Sequence, residues 1–271
     1  MKGITAFCLS ALLLGTPQLP VAQAVEAETV EQAPGRCGQF GPGADLSGCD
    51  LSRQRMVDLD LRGANLSAAK LESSQLMGTN LDGADLRRAN LKWANLRGAS
   101  LRRANLSGAD LFHVTLDEAD MQDAQVRDAD LFGANLIATQ AQGADFRGSF
   151  LKDVILEEAD LSAARLDGCY LFRAVMLDGR FVGTRLDQAD MTGAAMDGAD
   201  FTDANLSGAL LRGASLRHAK LHGTQLRGAD FANADLVKVE VIQAKNIPAS
   251  FHQAISRFFG ALPATPETEN P

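Results

Sequence analysis

The stretch that decides the fold is Ala84-Asp85-Leu86-Arg87-Arg88-Ala89-Asn90-Leu91-Lys92-Trp93-Ala94-Asn95-Leu96-Arg97-Gly98. It holds three copies of one five-residue unit: a small residue, Asp or Asn, Leu, then two variable residues. Outward from here the frame never slips between Ala44 and Val241. Every fifth position from Leu46 to Val241 is apolar, forty positions of which twenty-eight are Leu. We call that position the centre. The residue two before it is nearly always small; Gln54 and Leu59 break that rule near the start. A period of five matches neither the helical 3.6 nor the strand period of 2. It suits a coil of short extended stretches joined by turns, in which the centre and the small residue two before it share the inner face. The turn spans the two residues after the centre. Its second residue is Gly in seventeen of the forty units, as expected of a type II turn, which needs positive φ there. Pro is absent from residues 43–247, in keeping with backbone N–H groups committed to ladders between coils.

An uninterrupted period over most of the 271 residues predicts one elongated repeat domain. The N-terminus reads as an export signal over residues 1–24: Lys2, an apolar run from Ile4 to Leu14, then Ala22-Gln23-Ala24 as the cleavage site. That run is about half the roughly twenty residues a spanning helix needs, so no stable membrane insertion of the mature chain is expected. Residues 25–43 read as a leader and N-terminal cap, 44–244 as the repeat rod, 245–262 as a C-terminal capping helix and 263–271 as a frayed tail. The net charge is −8, and loss of Lys2 with the leader lowers it by one. An acidic chain of this kind is not a nonspecific nucleic-acid binder. Cys37 and Cys49 stand close together where the repeats begin, and an oxidising compartment predicts a disulfide between them. Cys169 occupies a small inward position and reads as a buried hydrophobe.

The repeated Ala-(Asp/Asn)-Leu-X-X pattern resembles the pentapeptide-repeat family, and about 200 residues carry it. The resemblance implies an all-β fold: a right-handed, four-sided (quadrilateral) parallel β-helix solenoid with four units per coil. Forty units then make about ten coils, and strand spacing of about 4.8 Å gives a rod roughly 45 Å long. At its C-terminal end Ser250 is placed to cap a helix whose Phe251, Ile255, Phe258 and Leu262 fall on one side. That helix is expected to cover the last coil, and is also where a second copy would dock in a homodimer.

Chemistry is hard to find in this frame. His218 and His222 lie on neighbouring turns with no third ligand beside them, so neither a metal nor a cofactor is expected. No Ser or Cys has a His and a carboxylate arranged around it. The recurring Asp and Asn before each centre read as solvated surface. With four units per coil, however, Trp93, Phe112, Phe132, Phe150, Tyr170 and Phe172 all point outward on one side. They include the single Trp and the single Tyr of the chain. Two readings stand open: a ladder of stacked rings that stabilises the rod, or an exposed patch that binds a protein partner. The function expected is a noncatalytic interaction or scaffold protein of the bacterial cell envelope, in the periplasm, secreted, or in a thylakoid lumen. The resemblance also offers a DNA-mimicking, gyrase-binding rod. Against it stand the export signal, the mixed charge of a chain whose Arg87, Arg88, Arg127, Arg147, Arg165 and Arg185 gather along one side, and a repeat frame without the projecting loops on which part of that branch depends. An unrecognised envelope enzyme is the third alternative.

Overall fold

The computed structural model describes residues 35–259. The expected export leader, the frayed tail, Leu262 and the side chain of Phe258 lie outside the described residues. Each unit contributes one bridged residue, and every bridge is parallel and joins positions twenty apart, from Asp45–Asn65 to Gln225–Lys245. Twenty residues are four units, so centres twenty apart fall in one column. Leu86, Leu106 and Phe146 share such a column through the bridges Asp85–Asn105, Asn105–Gln125 and Gln125–Asp145. The bridges are single residues separated by turns rather than longer strands, because a five-residue unit bends before a second residue can pair.

In a unit with Asp or Asn before its centre, every backbone N–H has its own kind of partner. In the unit Asn65–Ala69, Asn65 N donates back to Ala44 O at 2.9 Å, while Leu66 N and Ala68 N donate forward to Asp85 O and Arg87 O at 2.7 and 2.8 Å. Ala69 N closes the turn onto Leu66 O at 3.0 Å. The remaining donor, Ser67 N, meets the side chain of Asn65, Oδ1, at 3.2 Å. The same bond recurs at Arg87 N to Asp85, Gln122 N to Asp120 and Thr202 N to Asp200. The Asp/Asn position is therefore more than solvated surface: it accepts from the one N–H per unit that the ladder leaves over.

All second turn residues from Gly48 to Gln243 adopt positive φ, whether or not they are Gly. Gly removes the steric cost of that conformation, and elsewhere the ladder on either side enforces it. Every centre from Leu46 to Leu236 is buried. Val241 departs from the expectation and is half-buried, since no further coil follows it. Polar residues at the small inward position use centre carbonyls: Thr139, Thr184 and Thr224 donate to Leu116 O, Leu161 O and Phe201 O at 2.7–2.8 Å. Ser149 stands in for a turn bond by accepting from Ala129 N and donating to Val126 O.

The ends differ from the middle. A 3-10 helix at Gly35–Gly38 precedes one further turn, in which Ala44 N meets Gly41 O. Cys37 and Cys49 form a disulfide with Cα atoms 5.6 Å apart, and Phe40 packs on the core nearby. At the other end, Lys245 still joins the ladder through Thr224 O, and helix α1 runs Ala249–Phe259. Ser250 does not cap it, because it lies within the first turn. Its hydroxyl instead donates to Ala229 O and accepts from Phe231 N, fastening α1 to the last coil. Phe251 is buried against Phe231 edge to face, with centroids 5.0 Å apart.

Candidate functional site

The six aromatic residues belong to the column of units centred on Leu91, Leu111, Leu131, Leu151 and Leu171. Phe112, Phe132 and Phe172 are first turn residues, Trp93 is a second turn residue, and Phe150 and Tyr170 stand just before their centres. The ladder brings all six into one unbroken run. Trp93 meets Phe112 edge to face at 5.4 Å. Phe112–Phe132, Phe132–Phe150, Phe150–Tyr170 and Tyr170–Phe172 then stack at 5.4, 6.3, 5.2 and 5.9 Å. Trp93 and Phe150 are exposed, at 51% and 38%, and the other four are half-buried.

Two further groups complete the run. The His113 ring lies edge-on to Phe112 at 4.4 Å and to Phe132 at 5.7 Å. Lys152 Nζ sits over Phe132 and Phe172 at 5.6 and 5.9 Å, filling the place between two rings that stand forty residues apart. Sequence reasoning misses the lysine, although its place midway between Phe132 and Phe172 is readable from the twenty-residue register.

These rings occupy positions where the local rules favour other residues. Trp93 has φ 53°, a conformation uncommon for any non-Gly residue and an outlier for a bulky one. At Phe150 and Tyr170 a ring replaces the usual Asp/Asn, so the N–H groups of Lys152 and Phe172 lack the side-chain acceptor that Lys92 finds in Asn90 at 3.1 Å. Phe112 and Phe132, which follow Asp110 and Asp130, keep theirs at 3.3 and 3.0 Å.

Several charged groups elsewhere on the surface are paired with one another. Asp145 is buried between two guanidiniums, with Arg147 Nη2 at 2.8 Å and Arg127 Nη2 at 2.6 Å. The hydrogen bonds from Arg147, and then from Arg127, hold its carboxyl well below the usual range. Arg185 pairs with Asp167 at 2.6 Å. His222 receives Ile242 N on Nδ1 and meets Glu240 through Nε2 at 2.9 Å, while no group of three or more metal-binding side chains occurs among the described residues. The buried Cys169 thiol donates to Phe146 O at 3.0 Å, and burial pushes it up to about 12. A thiol held protonated is a poor nucleophile.

A family model described as pentapeptide repeats matches overlapping segments from residues 44–83 to 209–245. No curated protein matches the chain. Among solved structures, it is similar to HetL, a pentapeptide-repeat protein involved in heterocyst differentiation regulation in the cyanobacterium Nostoc sp. strain PCC 7120. That match has 30% identity over 69% of this chain and 86% of HetL, with a TM-score of 0.43. A trypsin-treated form of QnrB1, a plasmid-mediated fluoroquinolone resistance protein, matches at 21% identity over 77% of this chain and 97% of QnrB1, with a TM-score of 0.54. A pentapeptide-repeat protein from the Arabidopsis thaliana thylakoid lumen matches at 28% identity over 48% of this chain and 67% of its own, with a TM-score of 0.20.

Proposed function

The chain belongs to the pentapeptide-repeat family, and from that premise we propose that it is a noncatalytic interaction or scaffold protein of the bacterial cell envelope whose aromatic column is its contact surface. In this reading the rod is a right-handed, four-sided β-helix of about ten coils over residues 44–244. Residues 25–43 and 245–262 cover its ends, and residues 1–24 direct its export. The observation that carries the proposal is the aromatic run itself. It gathers the single Trp and single Tyr with four Phe into one run of ring contacts, and it leaves Trp93 and Phe150 in solvent. Electrostatic imitation of DNA needs a continuous acidic stripe. On the arginine side the carboxylates are neutralised by Arg127, Arg147 and Arg185, which leaves only the short group Asp117, Glu118, Glu157, Glu158, Asp178 and Asp197 for that role. The protonated Cys169 thiol agrees with a noncatalytic role.

Trp93→Ala and Tyr170→Ala separate contact from ladder when thermal unfolding and retention of an envelope partner are measured on the same proteins. Hot-spot residues cost about 2 kcal/mol or more in binding, roughly a thirtyfold loss, whereas an aromatic pair contributes about 0.5–1.5 kcal/mol to folding. The expected result is a large loss of retention for both variants with only a small fall in stability for Trp93→Ala. Unchanged retention with a clear fall in melting temperature leaves the column as structure alone.

A further inference from the structure

The turn residues of the aromatic column lead directly into a second column, centred on Leu116, Leu136, Leu156, Met176 and Met196; Phe172 and Val175 are three residues apart. Between Arg97 and Arg217, the outward positions of this second column contain no Lys, Arg or His. They carry six carboxylates: Asp117, Glu118, Glu157, Glu158, Asp178 and Asp197. Ile137, Ile155, Val175 and Leu177 lie among them, partly exposed. Glu118 is paired with Arg97 at 2.5 Å. Asp117 and Asp197 are held by backbone, the first by Ile137 N at 3.2 Å and the second by Arg217 N at 3.0 Å. Glu157, Glu158 and Asp178 have no ion pair among the described residues, in contrast to Asp145 and Asp167 on the arginine side. Aromatic rings, aliphatic side chains and three carboxylates without an ion pair (Glu157, Glu158 and Asp178) thus follow one another along the chain as one strip, in which Lys152 over Phe132 and Phe172 is a cation.

Resting on the contact-surface reading above, we propose that this strip receives a basic amphipathic segment of another protein. Its apolar residues would lie against Phe132, Phe150, Tyr170, Ile155 and Val175, and its Lys or Arg residues against Glu157, Glu158 and Asp178. Charge selects this occupant. Residues 25–34 contain three Glu and residues 260–271 two, with no Lys or Arg in either, so their composition offers no cation complementary to the strip. In a second copy, Arg147 and Arg185 are already committed to Asp145 and Asp167, so those two guanidiniums are not available to the strip. From Asp117 to Asp197 the strip crosses four coil spacings, about 19 Å at about 4.8 Å each. A helix of about thirteen residues, rising about 1.5 Å per residue, covers that length.

The test is a titration of the full mature protein with a fourteen-residue amphipathic Leu–Lys peptide, with a Leu–Glu peptide as counterpart. Glu158→Lys with Asp178→Lys is compared with the control pair Asp123→Lys and Asp203→Lys. All four are second turn residues with positive φ, and Lys238 already occupies such a position, so both pairs should fold. Saturable 1:1 binding of the Leu–Lys peptide is expected, weakened about tenfold by the first pair and less than about twofold by the control. Phe150→Ser with Tyr170→Ser should weaken it as well. Equal effects of the two acidic pairs, binding of the Leu–Glu peptide, or no binding at all overturns the proposal. So does a dimer of the purified rod that the Glu158 and Asp178 reversals dissolve, because the occupant is then a second copy. If the aromatic variants lose the envelope partner while the Leu–Lys peptide fails to bind, only the basic class of partner falls. If they retain that partner, the contact-surface reading falls too.

Discussion

At the scale of single residues, the rod depends on side chains that complete hydrogen bonds the backbone cannot make. Asp145 shows the strongest case. Its Oδ1 accepts from Arg147 N and Nε at 3.2 and 2.9 Å, and its Oδ2 from Arg127 Nε at 2.7 Å. Asp145→Asn keeps the shape but leaves two guanidiniums sharing a neutral group, at a cost of about 1–3 kcal/mol. The pH dependence has a definite sign. Because Asp145 is depressed in the folded rod, its contribution is fully present above the unfolded carboxylate value of about 3.9 and fades as pH falls below it toward the folded value. Melting temperatures of the wild type and Asp145→Asn should therefore differ most near neutrality and converge as pH falls below about 4. A constant gap down to acid pH would assign the loss to packing instead.

At the scale of elements, the turn and the end-covering helix show where residue pattern is a sufficient guide and where it is not. Gly after the centre points to positive φ, and the structure extends that conformation to Arg53, Trp93 and His113. The conformation belongs to the repeat, and Gly marks only some of its occurrences. The amphipathic spacing of Phe251 and Ile255 locates α1, and both are buried. The capping role expected of Ser250 fails because an N-cap residue and a Ser that docks a first turn look alike without tertiary partners. Phe251 fills the end of a column above Phe231, so Phe251→Ala should cost about 3–5 kcal/mol. In a solenoid each coil contacts only its neighbours, so the damage should be local. Hydrogen exchange should speed up at residues 221–245, with residues near Leu106 unchanged. Equal acceleration along the whole rod would show that α1 stabilises the molecule as a single unit.

At the scale of the whole molecule, the fold was legible because forty repetitions of one pattern overwhelm local ambiguity. Register follows from the same source: any shift other than a whole unit would drive Asp or Arg into the Leu columns. The aromatic column could be assembled once four units per coil was taken from the family resemblance; the spacing of five does not supply that number. What the sequence withheld were contacts set by side-chain rotamers, such as Lys152 over its two rings and the Asx bond that explains why Asp or Asn so often precedes a centre. The same one-dimensional construction governs how the molecule should fail. Leu101 is completely buried, and Leu101→Asp places an unpaired charge in a narrow apolar column where no partner can reach it. Among the described residues no element packs along the length of the rod to bridge such a break, and the bridges join only positions twenty apart. The variant should lose exchange protection from the N-terminal cap to about residue 120, while the coils from Val126 onward, closed by α1, stay protected. Uniform loss of protection in Leu101→Asp would refute this nearest-neighbour account and make the rod one cooperative unit.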